Sequence, residues 1–192
     1  MENLLPADGT VFYYGSILDP EAAALHFAQL FKTVAWKQEE VIIFGKLHVT
    51  RRKTAWYGDE PYIYTYSRSS KKALPWTREL LQLKTLIENT TGYSFNSCLL
   101  NLYHSGEEGM SWHSDNEKEL GRHPVIASLS LGAERKFSLK HRVTKEKVYV
   151  VLENGSLLLM KDATQEYWLH AMPKSKKVKE PRINLTFRNI KI

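Results

Sequence analysis

The hydrophobic period of the chain changes part-way along. Residues 20–33, PEAAALHFAQLFKT, space Ala24, Phe27, Ala28 and Phe31 three and four positions apart, as one face of an α-helix requires. Asp19 stands before this stretch as an N-cap and Pro20 takes the first helical position, where its missing N–H costs nothing. A second helix is expected from about residue 75 to 90, capped by Thr77, striped by Leu80, Leu81, Leu83, Leu86 and Ile87, and stopped by Gly92. Both stripes read as core. From residue 93 the period is two: SFNSCLLNLY, VIASLSLG, RKFSLKH, KVYVVLENGSLLLM and PRINLTFRNI, separated by Gly, Pro, Asn and Glu-Asn-Gly turns. Strand after strand without an intervening helix means antiparallel pairing. The pattern predicts an α+β chain, two helices before about eight short strands, with its C-terminal half a jelly roll.

Composition narrows this little. At 192 residues the chain fits one domain with a sizeable core. Its single cysteine, Cys98, lies inside the apolar run SCLLNLY and reads as a small buried hydrophobe, which suits a reducing compartment. The N-terminus, MENLLPADGT, lacks a basic region followed by an apolar core, and no run of roughly 18 apolar residues occurs. A cytosolic or nuclear protein without a membrane partner is expected.

Charge adds more. Lys and Arg number 27 against 21 acidic residues, for a formal charge of +6 and a pI near 9.3, a balance that attracts polyanions. The basic residues cluster at Arg51-Arg52-Lys53, Lys71-Lys72, Lys140-His141-Arg142 and residues 174–179, with Trp56, Tyr57, Tyr62, Tyr64 and Tyr66 near the first two. Basic runs alone are usually solvated faces; interleaved aromatics point toward nucleic acid.

The candidate chemistry starts at SWHSDNEKEL, residues 111–120. Two residues apart in an extended segment, His113 and Asp115 face the same side. That pair needs a third ligand. Among the other histidines, His26 is on a helix, His48 precedes a basic stretch, His123 is in a Gly-Arg-His-Pro loop and His141 is flanked by cations. His104 is near in sequence, and His170, ending EYWLH, is the best candidate. Two histidines and a carboxylate on one face of iron leave open positions, as in non-haem Fe(II) oxygenases. Such an enzyme needs two further electrons, and a dicarboxylate co-substrate supplies them if a cation holds its far end. Arg182 could do so as a bidentate partner, and Arg188 lies on the same face by the two-residue period. The alternative is that both arginines pair with surface carboxylates.

With HSD, His170 and RINLTFR assembled, the sequence resembles the AlkB family of Fe(II)- and 2-oxoglutarate-dependent dioxygenases, and within it the branch that repairs duplex DNA. The likeness runs from about residue 40 to the C-terminus through IIFGKLH, YGD, YIYTYS, FNSCLLNLY, WHSDNEKEL, PVIASLSLGAERKFSLKH, NGSLLLM, the W-x-H of YWLH and PRINLTFR, in that order. The resemblance implies a single domain over 1–192. A catalytic double-stranded β-helix would cover about residues 93–192, and a nucleotide-recognition lid with a DNA-contacting hairpin about residues 40–72. His113, Asp115 and His170 would hold Fe(II). Asn101, Tyr103, Arg182, Asn184, Thr186 and Arg188 would bind 2-oxoglutarate, with O2 as the other co-substrate.

On the same resemblance, Tyr64, Thr65, Tyr66 and Ser67 would line the pocket for the damaged base, stacked between Tyr66 and His113, with Asn116 and Glu117 at its edge. Phe44, beside Gly45, would be the finger that fills the gap left by a flipped nucleotide, and Lys46 and Arg52 would grip the strands. A methylated base cannot reach iron while stacked, so flipping and an apolar wedge are physically required. Without the resemblance, VIIF reads as a buried strand and Phe44 as core. The sequence departs from the branch at Asn116, where an aspartate stands in the relative, at Tyr66 for phenylalanine and at Arg51 for proline. Losing a negative charge there weakens the preference for cationic lesions unless Glu117 compensates. The implied activity is oxidative demethylation of 1-methyladenine and 3-methylcytosine in DNA, probed against the same chemistry on RNA or protein and against a non-catalytic binder of methylated nucleic acid. A monomer is expected. The short N-terminus suggests a bacterial, cytoplasmic protein, nuclear if eukaryotic.

Overall fold

The structure, a computed structural model, describes residues 1–43, 46–66 and 69–191, with side chains described outside residues 39–48 and 64–71. Its elements are β1 (Thr10–Ser16), α1 (Pro20–Thr33), β2 (Lys37–Ile43), β3 (Lys46–Gly58), β4 (Ile63–Tyr66), β5 (Ser69–Lys72), β6 (Leu74–Pro75) and α2 (Arg78–Thr91). The C-terminal half continues with β7 (Ser97–Tyr103), β8 (Met110–His113), β9 (Ile126–Gly132), β10 (Arg135–His141), β11 (Lys147–Leu152), β12 (Ser156–Lys161), α3 (Thr164–Tyr167), β13 (Trp168–Met172) and β14 (Arg182–Arg188). The larger sheet has the order β1-β12-β9-β14-β7-β3-β2, with β6 beside β3, and the smaller sheet β11-β10-β13-β8; β4 and β5 form a hairpin. Among the described residues the pairings are antiparallel except β3 with β6. From β7 on, the chain passes back and forth between the two sheets, the connectivity of a jelly roll.

The helices start and stop where local chemistry tells them to. The Asp19 side chain accepts from Ala22 N–H at the start of α1, and Thr77 accepts from Leu80 N–H at the start of α2. Gly92 ends α2 at φ 76°, a left-handed conformation that favours glycine. The buried face of α1 differs from the expected one. Ala23 and Leu30 are fully buried and Phe27 packs beside them, while Ala24, Ala28 and Phe31 are exposed. On α2, Leu80, Leu83 and Ile87 are buried and Leu81 is exposed. In both cases two overlapping three-to-four-residue stripes exist, and contact with the sheet selects one.

Two cores follow from the period of two. Odd-numbered residues of β9 and β14 (Ala127, Leu129, Leu131, Ile183, Leu185, Phe187), with Cys98, Leu100 and Leu102 of β7, face α1 and α2 in one cluster. Between the sheets, Ile126, Leu158 and Met160 meet Phe137, Leu139, Leu152 and Trp168. Apart from Leu99, the remaining cavity-lining positions of β7, β9 and β14 are polar, and the site lies there.

Candidate metal centre and co-substrate pocket

β8 ends at His113, and the register of β8 with β13 sets His170 opposite it. Their rings approach with centroids 4.2 Å apart. Asp115 follows two residues later, its backbone N–H donating to Gln165 Oε1 at 2.9 Å. One ligand atom from each of His113, Asp115 and His170 lies within 4.8 Å of the others. His113 Nδ1 donates to the Ser111 carbonyl at 2.8 Å, which fixes the tautomer and leaves Nε2 with its lone pair, 3.8 Å from Asp115 Oδ1. Two imidazoles and a carboxylate suit a divalent iron.

The electrostatics keep these ligands ready for a cation. Burial pushes the Asp115 carboxyl up, but the positive charge of Arg188, with His170 and His113, outweighs it and holds Asp115 below its ordinary value. Burial drives the His170 imidazole down to about 4, helped by His113 and Arg188 and opposed by Asp115. Both are therefore in the deprotonated form that metal binding requires near neutral pH. Arg188 is 3.1 Å from Asp115 Oδ2 and 3.7 Å from Glu117 Oε1.

The cluster opens on a cavity of about 540 Å³ between the sheets, lined also by Asn101, Tyr103, Arg182, Asn184, Thr186 and Arg188. Alternation puts residues 182, 184, 186 and 188 of β14 on this face because 183, 185 and 187 fill the helix-side core. Arg182 is 1% exposed, donates from one Nη to Ser130 Oγ at 2.9 Å, and lies 5.7 Å from the Tyr103 ring. Its Nε and other Nη are buried without a hydrogen-bond partner. Burial lowers its pKa to about 10, so it remains a cation near neutral pH. A buried guanidinium with two unused donors fits a carboxylate of 2-oxoglutarate. Asn184 donates to Ser128 Oγ at 2.9 Å and the Leu129 carbonyl at 3.2 Å.

The structure brings His113, Asp115, His170 and the six residues expected around 2-oxoglutarate to one cavity. Arg52, Asn116 and Glu117 line it too, Arg52 donating to Met110 Sδ at 3.2 Å. Arg188 is engaged with Asp115 and Glu117 and so acts first on a carboxylate of the candidate metal centre. His104 pairs with Glu108 and takes no part in the cluster. Phe44, Gly45 and Ser67 lie outside the described residues, as do the side chains of Lys46, Tyr64, Thr65 and Tyr66. Gln165, Ser128 and Ser130 were missed. The two serines carried a signal, alternate polar positions in a strand whose other face is apolar; Gln165, on the short α3, carried none.

The chain matches the model of the 2OG-Fe(II) oxygenase superfamily over residues 10–188. It is 44% identical over 183 residues to alpha-ketoglutarate-dependent dioxygenase alkB homolog 3 of Bos taurus, covering 90% of this chain and 63% of that one. The Homo sapiens homolog 3 is 42% identical over 190 residues, covering 94% and 66%. DNA oxidative demethylase ALKBH2 of Homo sapiens is 39% identical over 158 residues, covering 78% and 60%. The chain thus spans less than two thirds of the length of these curated relatives. Likeness extends to two alkB-related groups rather than one branch, and the mammalian sources leave the expected bacterial origin without support. The solved structure of OsALKBH1 superposes with a TM-score of 0.63 at 15% identity, covering 96% of this chain and 99% of that one, a likeness of fold. A family match running from β1 to the end of β14, over a fold whose cavity holds two histidines and a carboxylate, establishes that the chain belongs to the 2OG-Fe(II) oxygenase superfamily.

Proposed function

We propose that this protein removes methyl groups oxidatively from N-alkylated bases in DNA, 1-methyladenine and 3-methylcytosine among them. The observation that carries the proposal is a buried guanidinium, Arg182, with two unpartnered donors in the cavity that also holds His113, Asp115 and His170. The superfamily uses Fe(II), 2-oxoglutarate and O2. Bound at this site, these would supply the oxidation: 2-oxoglutarate would lose CO2 and become succinate with one oxygen atom of O2, and the N-methyl carbon would take the other and leave as formaldehyde, releasing a proton and restoring the unsubstituted ring nitrogen.

The chain's own residues prepare this chemistry. His113 offers Nε2 because Ser111 holds Nδ1–H, and Gln165 anchors the backbone of Asp115. Arg188 keeps Asp115 ionised. Arg182 takes the distal carboxylate of the co-substrate, while Asn101, Tyr103, Asn184 and Thr186 shape the walls around it. Fixed donors in a buried cavity orient the reactants and exclude water, which is most of what a protein adds to cofactor chemistry. Asn116, Glu117 and Arg52, which line the same cavity, would meet the flipped base, and Tyr66 would stack on it. The nucleic-acid substrate is supported by the positive charge and by the relative called a DNA oxidative demethylase. A duplex substrate rests on the finger role of Phe44.

The test is incubation with Fe(II), ascorbate, 2-oxoglutarate and a duplex oligonucleotide bearing one 1-methyladenine, following adenine recovery and formaldehyde. Repair that stops without 2-oxoglutarate supports the proposal. Succinate without repair retains the oxygenase and discards this substrate in favour of RNA or protein. Metal-independent binding of methylated DNA without succinate overturns the catalytic role.

A further inference from the structure

The outer face of the smaller sheet carries a feature the cavity chemistry does not use. Alternation turns Phe137, Leu139, Val148, Val150 and Leu152 inward, so Lys136 and Lys140 of β10 and Lys147, Tyr149 and Val151 of β11 point away from the core. Tyr149, on one edge strand of the sheet, is 49% exposed and Trp112, on the opposite edge strand, 39%. Lys136 Nζ lies 3.7 Å from the centre of the Tyr149 ring, and Lys140 Nζ 4.5 Å from that of Trp112. Lys140 and Lys147 are direct cross-strand partners. Like charges placed opposite each other destabilise a ladder, and among the described residues none of the three lysines is paired with a carboxylate. The face therefore holds an unneutralised row of cations between two solvent-facing aromatic rings. Trp112 is joined directly to the ligand His113, so the row begins at the rim of the site.

We infer that this face is a binding platform for the single-stranded stretch of nucleic acid flanking the target base, with Trp112 and Tyr149 as stacking surfaces and Lys136, Lys140 and Lys147 on the phosphates. Aromatic rings interleaved with cations are what sequence-tolerant strand binding needs, because every base has a π-face and every nucleotide a phosphate. Exposed cation–π contacts are weaker than base–aromatic stacking. An arriving base displaces each lysine from its ring, and the freed ammonium turns to the adjacent phosphate. The platform rests on the nucleic-acid substrate proposed above and adds where the strand runs.

The experiment measures binding of a fluorescent single-stranded oligonucleotide to the wild-type chain, to the double variant Lys136→Glu/Lys147→Glu, to Tyr149→Ala and to Trp112→Ala, over a range of salt. Succinate formation without nucleic acid is recorded for the wild type, the double variant and Tyr149→Ala. The expected result is about tenfold weaker binding for each aromatic variant. For the double variant, binding falls and the slope of log affinity on log salt becomes shallower by about 1.4, from two lost phosphate contacts. Succinate formation stays at the wild-type level in both variants tested. Unchanged affinity in all variants, with methylated oligonucleotides still repaired, overturns the platform and leaves the proposed function standing. Lysine-dependent binding by a wild-type chain that repairs no methylated oligonucleotide supports the platform and overturns the demethylase. Competition by polyglutamate as strong as by an oligonucleotide of equal charge removes the stacking role and overturns the assignment to nucleic acid.

Discussion

Arg188 Nη2 lies 3.1 Å from Asp115 Oδ2, so a cation on the last strand compensates a carboxylate of the candidate metal centre whose side chain is only 8% exposed. The arginine keeps Asp115 charged in the absence of metal and becomes less necessary once a divalent ion takes over the compensation. Arg188→Met should cost the metal-free chain about 3 kcal/mol, as removal of one partner from a buried ion pair does. Mn(II), a redox-inert substitute, should recover much of that loss by binding the uncompensated carboxylate. Denaturant unfolding with and without Mn(II) checks this, and an equal loss under both conditions would sink the compensating role.

Acid should destabilise the metal-free chain through His170. Its folded pKa is about 4 against an ordinary 6.5, so between those values the unfolded chain binds the proton and the folded one does not. Stability is full above about 6.5 and falls as pH drops toward 4, by about 2 kcal/mol at pH 5. Unfolding midpoints at pH 7 and pH 5, for wild type and His170→Phe, measure it. The variant should lack this part of the pH dependence, and identical pH dependence in both would remove His170 as its source.

Arg182→Met replaces a buried cation by an apolar chain of similar reach. Folding should survive, because the guanidinium leaves two donors unpaired at present. The 2-oxoglutarate concentration for half-maximal succinate formation should rise about 10- to 100-fold, the worth of hydrogen bonds to a charged group. An unchanged requirement would show that another residue holds the co-substrate.

Alanine at His113 or Asp115 should abolish succinate formation while leaving the circular dichroism spectrum in place, since both side chains end at the cavity rather than in a hydrophobic cluster. Calorimetric titration with Mn(II) should show the lost site directly. Near-normal turnover by both variants would rule out this metal centre.

Gly106 is held against the loop between β13 and β14, its N–H donating to the Val178 carbonyl at 2.9 Å and its carbonyl accepting from Ser175 N–H at 2.7 Å. A Cβ there would collide with the Ser175 carbonyl and press on Val178. Gly106→Ala should therefore destabilise by about 1–3 kcal/mol, read as a lower unfolding midpoint. Because Arg135 ties the Glu108 and Pro173 carbonyls at 2.8 and 2.9 Å, the loosened loop should also become more susceptible to protease. Wild-type stability in the variant would mean that the loop relaxes freely.

Much of the site was legible because period two is a local property. In RINLTFR the odd positions are apolar, so Arg182 and Arg188 had to share the opposite face whichever strands became neighbours. Helix caps were legible for the same reason, as Asp19 and Thr77 act within three residues. The rotation of α1 was not, because an Ala-rich helix offers two stripes of similar hydrophobicity and the sheet beneath chooses. His141 also misled. Inside Lys-His-Arg it read as solvated, yet it continues the inward row of Phe137 and Leu139, is 5% exposed and pairs with Asp8 at 3.3 Å.

The sequence by itself determined which residues could share a face: His113 with Asp115, Arg182 with Arg188, the apolar set of each strand and the cap of each helix. Only the tertiary structure decided that β13 lies beside β8 so that His170 meets His113, that Gln165 reaches the backbone of Asp115, and that Arg188 ends on the Asp115 carboxylate. The reason is range. Side-chain alternation and capping act over a few residues of chain, whereas strand pairing joins segments tens of residues apart and is settled by which apolar faces bury each other best.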